Sequence, residues 1–114
     1  MLIASSLWRG ALSRLYYAAF YAARAVLATR DLDSARHGGA IALFQQHFVK
    51  TGVVPTTVAR TLPRAFELRQ TSDYADEADP GPDDVRSLRT EIDAFVAVCA
   101  QVVEAAVDRD EKQV

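Results

Sequence analysis

The sequence predicts an all-α protein, an up-and-down bundle of four main helices with a short N-terminal helix in front of them. Three observations carry that prediction. Twenty of the 114 residues are alanine, the strongest helix former. Apolar residues recur at steps of three and four over several long stretches. No stretch alternates apolar and polar residues as a half-buried strand does. The length suits a single domain, residues 1–110, with 111–114 as a frayed tail.

The N-terminal helix holds Leu2, Ile3, Leu7 and Trp8 and is too short to stand without packing on something. The first long helix runs from about Leu12 to Thr29. Leu12, Tyr16, Ala19, Ala23 and Val26 form its buried stripe, and its many alanines let a neighbour approach closely. Asp33 or Ser34 caps the next helix, which carries Ile41, Phe44 and Phe48 on one face and ends near Lys50, before Gly52. Pro55 opens a third helix with Val58, Leu62, Ala65, Phe66 and Leu68 inward. Pro63 either kinks it or marks a late start, and it ends near Asp73. Ala75–Pro82 reads as an exposed acidic loop. Pro82, Asp83 and Asp84 open the last helix, whose apolar seam runs from Val85 through Leu88, Ile92, Phe95 and Cys99 to Val107. With so short a first helix, apolar surface at Leu12, Phe20 and Val26 is expected to be under-covered until a second copy buries it, which predicts a homodimer.

Composition narrows the function classes. Half the residues are hydrophobic and a quarter charged, which is ordinary for a folded domain. Arg14, Arg24 and Arg30 interrupt the most apolar stretch, so no membrane span is expected. The absence of a signal-peptide pattern predicts a cytoplasmic protein. Cys99, the single cysteine, lies on an apolar helical face and reads as a buried thiol. The net charge of −2 hides an asymmetry: residues 1–71 carry nine Lys/Arg against three Asp/Glu, and residues 72–114 carry four against twelve. The basic part suits a polyanion; equally, the acidic helix could simply neutralise it.

Arg14, Tyr17, Tyr21 and Arg24 share a second face of the first long helix. Such a face suits a protein interface, where Tyr and Arg are enriched, or nucleic acid, with arginines on phosphates and tyrosines stacked on bases. His37 and His47 have no i, i+4 partner and no nearby cysteine, so no metal site is expected. Gly38-Gly39 lacks the lysine of a phosphate loop, and no nucleophile elbow is present. In Glu67–Tyr74, Arg69 and Asp73 stand at i, i+4. They read either as a surface ion pair or as a site in which Arg69 stabilises phosphate charge and Tyr74 is its polar partner.

The run Ser13-Arg14-Leu15-Tyr16-Tyr17-Ala18-Ala19-Phe20-Tyr21-Ala22-Ala23-Arg24-Ala25 resembles the second-helix signature of prokaryotic HEPN domains. His37-Gly38, Phe48-Val49-Lys50-Thr51-Gly52 and Leu68-Arg69-Gln70 with Asp73-Tyr74 resemble the same subfamily in the same order, so that the likeness spans roughly residues 8–107. It implies a homodimeric bundle of four or five helices. Many HEPN domains are metal-independent ribonucleases whose cleft uses an Arg followed four to six residues later by a His. Arg69 matches the arginine, but Tyr74 stands five positions on, and a tyrosine titrating near pH 10 is a poor substitute for histidine in acid–base work. HEPN toxins paired with minimal nucleotidyltransferase antitoxins place a Tyr in a comparable motif, and the antitoxin adds AMP to it. The family's first helix is usually longer, so this chain reads as shortened at its N-terminus.

The resemblance thus implies a toxin-like, homodimeric RNA-binding protein or metal-independent endoribonuclease, needing no cofactor and controlled by a nucleotidyltransferase partner. Arg69 would hold the phosphate, Asp73 and Tyr74 would orient it, Arg14 would lend charge, and Tyr74 would be the modified residue. The alternative is a non-catalytic dimeric module that binds a nucleotide or scaffolds a protein through Arg14, Tyr17, Tyr21 and Arg24.

Overall fold

The computed structural model describes residues 2–74 and 81–113, with side chains described for 7–70 and 81–112. Five α-helices and one π-helical turn follow one another: α1 (Leu2–Ala28), α2 (His37–Phe44), the π turn (Gln45–Val49), α3 (Thr56–Ala59), α4 (Thr61–Tyr74) and α5 (Pro82–Gln113). No strand occurs among the described residues. The long helices α1, α4 and α5 pack along one another into a rod of 57 × 23 × 22 Å, with α2 and α3 across the side of the bundle.

The N-terminal segment is not a separate helix but the first turns of α1. Nothing between Trp8 and Leu12 forces a break: Gly10 costs helix stability without interrupting the hydrogen-bond ladder, as proline would. The far end of α1 closes in a Schellman motif. Leu32 N–H donates to the Leu27 carbonyl and Asp31 N–H to that of Ala28, with Asp31 at φ 57° where glycine is usual.

The expected caps of α2 are displaced. The helix begins at His37, with Arg36 as its uncapped N-terminal residue. Ser34 Oγ accepts the Arg36 N–H at 3.3 Å, and the Asp33 carboxylate is taken by Arg24. The connection therefore extends further than residue type alone suggested, because a side chain across the turn competes for the capping group. A Cβ at Gly39 would collide with Ser34 Oγ, so glycine here lets this loop lie against α2. The chain leaves the π turn at Lys50 and reverses at Gly52, φ +81°.

Pro55 precedes α3, and Pro63 sits in the first turn of α4, where its missing N–H costs nothing. Pro63 thus marks a late start rather than a kink. The expected acidic loop falls largely on residues 75–80, outside the described residues. Gly81 N–H donates to Asp84 Oδ2 at 3.0 Å as α5 begins, half of a capping box with the acid at its usual place.

The core is the one the periodicity indicates. Leu12, Tyr16, Ala19, Ala23 and Val26 of α1 are buried, as are Phe44, Phe48, Leu62, Ala65, Leu88, Ile92, Phe95 and Cys99. Two expectations change. Leu12, Phe20 and Val26 are buried within one chain, so they give no ground for a dimer. The α5 seam does not stay buried to its end: Val107 is half exposed.

Candidate functional site

The middle of α1, the start of α2 and the second half of α4 meet in an aromatic corner. Because α1 turns about 100° per residue, Tyr16 and Phe20 point into the bundle while Tyr17 and Tyr21 lie on its shoulder. Tyr16 is fully buried, Tyr17 half buried and Tyr21 58% exposed. The rings of Tyr17 and Tyr21 stack at 6.0 Å, and Tyr16 meets Tyr17 edge-on at 5.3 Å. From α4, Phe66 packs on Tyr16 at 5.6 Å, which sets the helix so that Arg69 follows one turn later on the same side.

Arg69 lays its guanidinium over both tyrosines, 4.9 Å from the Tyr17 ring centroid and 5.3 Å from that of Tyr16. The contact is attractive and orders the side chain. Among the described residues Arg69 has no ion pair. An ordered, half-buried arginine is suited to bidentate binding of a phosphate.

His37 closes the corner from α2. Its ring lies 4.2 Å from that of Phe20 and 5.7 Å, perpendicular, from that of Tyr17. Its Nδ1 is 2.8 Å from the Tyr16 hydroxyl. Burial raises the Tyr16 phenol to about 12, against the opposing charge of Arg69 and with a smaller upward contribution from Tyr17. Tyr16 is therefore a permanent hydroxyl at physiological pH.

The residues singled out from the sequence do not stay together. Arg69, Tyr17 and Tyr21 meet here. Arg14 is exposed one turn before Tyr17, with no ion pair among the described residues. Arg24, 5.9 Å from the Phe20 ring centroid, lines a groove with Tyr21, and both oxygens of Asp33 accept from it at 3.2 Å. That guanidinium, with the Ser34 N–H as the larger influence, holds the Asp33 carboxyl below its ordinary range. The side chains of Asp73 and Tyr74 lie outside those described; the backbone makes Tyr74 the last residue of α4. The Arg69–Asp73 ion pair is for the same reason outside the described contacts.

The residues that sequence reasoning missed are Tyr16 and His37 as polar partners. Tyr16 was legible as core, and its hydroxyl could have prompted a search for an acceptor. From the sequence His37 reads as an unlikely metal ligand and as part of the His37-Gly38 element of the resemblance, not as a partner of Tyr16. Among the described residues no group of three or more His, Cys, Asp and Glu could hold a metal. No helix among them is long and apolar enough to cross a membrane. A groove of about 470 Å³ lies away from the aromatic corner, between α3, α4 and α5, but Arg64 on its wall is already committed to Glu91.

The bundle and its corner define a helical domain carrying an arginine on an aromatic platform, and comparison with known proteins gives that class a family. The family model described as HEPN domain matches residues 1–107, and the chain belongs to this family. A protein of Methanocaldococcus jannaschii named as a putative toxin is 32% identical over 96 residues, covering 84% of this chain and 71% of the relative. A UPF0332 protein of Thermotoga maritima is 30% identical over 104 residues, 91% of this chain and 79% of its own length. One from Gloeobacter violaceus is 47% identical over 62 residues, 54% of this chain and 49% of the relative. No solved structure matches the chain.

Proposed function

We propose that this chain is a toxin-like HEPN protein that binds RNA at the Arg69 corner, as a homodimer, and cleaves it without metal. The observation that carries the reading is Arg69 lying across Tyr16 and Tyr17 with its donors free of any carboxylate among the described residues. Phosphate is the ligand such a group favours. The charge balance of residues 1–71 supports a polyanion in the same region. The toxin name of a relative supports the biological context.

In this reading Arg69 holds the scissile phosphate, Asp73 and Tyr74 orient it from the end of α4, and Arg14 adds charge from α1. The second copy meets the Tyr21 side of α1. There Arg24 is neutralised by Asp33, so that flank suits a protein partner better than a phosphate. A small nucleotidyltransferase adds AMP to Tyr74. The phosphodiester so attached would occupy Arg69 and block RNA entry.

Cleavage of total RNA by the purified protein with EDTA present, compared with Arg69→Ala, tests the enzyme reading. The expected result is fragmentation by the wild type alone. Intact RNA in every condition, with no growth arrest on expression, would overturn it and leave a non-catalytic module. Intact mass spectrometry after co-expression with a neighbouring nucleotidyltransferase tests Tyr74. An AMP adduct absent from Tyr74→Phe is expected, and an adduct that persists in that variant rules the residue out.

A further inference from the structure

We propose that His37 is a second phosphate-binding donor of this site, held by Tyr16 in the tautomer that carries its proton on Nε2. The inference rests on the reading of the Arg69 corner as an RNA site and deepens it with a residue outside the Arg69–Tyr74 segment.

Tyr16 is fully buried, its hydroxyl included. The hydroxyl's one partner among the described residues is His37 Nδ1, at 2.8 Å. A phenol has one proton to donate. If His37 Nδ1 carried a proton and donated to the oxygen, the phenolic hydrogen would be left in the core with no acceptor, at a cost of about 1–3 kcal/mol. With the phenol donating to Nδ1, both groups are satisfied. A neutral imidazole that accepts at Nδ1 must carry its hydrogen at Nε2. The Tyr16 phenol keeps its proton, so it remains a donor to Nδ1.

The Nε2–H has no partner of its own among the described residues. His37 is half exposed at the start of α2, and its ring is clamped between Phe20 and Tyr17. The result is an oriented imidazole donor and an oriented guanidinium, neither with a carboxylate partner among the described residues, both bordering the Tyr17 ring: Arg69 at 4.9 Å and His37 at 5.7 Å from its centroid. Two such donors of different geometry, one forked and one single, suit the non-bridging oxygens of a phosphodiester chain laid across the tyrosine. Tyr16 touches no ligand in this scheme. It is a positioning residue that acts through the imidazole.

Long-range ¹H–¹⁵N spectra of the imidazoles, recorded on the intact chain, read the tautomer directly. The expected spectrum shows His37 as the Nε2–H form in the wild type and as a tautomer mixture in Tyr16→Phe. Inorganic phosphate and a short single-stranded RNA are then added in turn. Both should shift His37 Nε2 and leave Nδ1 bonded to Tyr16. His37→Asn, which keeps a group near Nδ1 but loses the Nε2 donor, should weaken RNA binding on the order of tenfold; His37→Gln, which restores a donor near Nε2, should recover part of that loss. An Nδ1–H tautomer in the wild type overturns the proposal. RNA binding that depends on Arg69 while Nε2 does not move overturns it too, and leaves the RNA reading intact. A response to phosphate without any RNA binding supports the His37 donor and overturns the RNA reading. No response to either ligand overturns both.

Discussion

Two aromatic clusters sit a few turns apart in this bundle and are built for different ends. Around the π turn, Phe44 stacks on Phe48 at 5.9 Å and meets Phe95 edge-on at 5.6 Å, all three fully buried, with Arg30 capping Phe48 from outside at 4.4 Å while it donates to the His47 carbonyl. In the α1–α2–α4 corner, Tyr16, Tyr17, Tyr21 and Phe20 gather at similar spacings, but a histidine and an arginine close the set and its outer rings meet solvent. The same ring–ring contacts hold helices together in the first case and hold donors in position in the second. What separates them is the polar tips, since a hydroxyl brought into the core needs an acceptor and fixes it in return.

Four changes break or sharpen that contrast. Phe95→Ala should be the most damaging to stability, by about 3–5 kcal/mol in chemical denaturation, because it opens a cavity at the centre of the dry cluster. A loss below about 1 kcal/mol would mean that this cluster is not the keystone it resembles. Gly39→Ala comes next, at about 1–3 kcal/mol, since its methyl group displaces Ser34 and strains the loop that delivers His37. Unchanged imidazole signals of His37 in that variant would show that the loop gives way without moving the corner.

Alkaline titration reaches both clusters through one buried group in each. Burial raises the Cys99 thiol from 9.0 to about 12, and the Tyr16 phenol from 10.0 to about 12. Each ionises more readily in the unfolded chain, so the stability linked to them is fully present below pH 9 and is lost as the pH climbs towards about 12. Denaturation midpoints that stay level over that interval would contradict the burial of both groups. Cys99 should likewise resist thiol reagents at pH 8 until the chain unfolds. The smallest effect is expected outside both clusters: Asp31→Gly relieves a left-handed residue in the α1 cap and should stabilise by roughly 0.5–1 kcal/mol.

The dry cluster was legible in the sequence and the polar corner only in part, for a physical reason. Periodicity reports which side of a helix is buried, so Tyr16, Phe44, Phe95 and Cys99 could be placed from spacing alone. It does not report where the chain goes between helices. Tyr16 and His37 are 21 residues apart, and their contact depends on the connection through Asp31, Asp33 and Ser34. The same connection changes the Arg14–Arg24 stripe: Asp33, read as a helix cap, crosses the turn and pairs with Arg24. Arg69 was legible as a candidate from the family motif, whereas its tyrosine platform came only with the packing of α4 on α1.

The central claim is that Arg69 serves a ligand rather than the fold, and a single paired measurement bears on it most directly. Affinity for a short single-stranded RNA, across a salt series, and the denaturation midpoint are determined for the wild type and Arg69→Ala together. The account predicts a loss of affinity of about tenfold or more, a salt slope shallower by about 0.7, and a stability change below about 1 kcal/mol, the scale of the ring contacts that are removed. Equal RNA affinity in the two proteins, or a loss that only tracks unfolding of the variant, would contradict it.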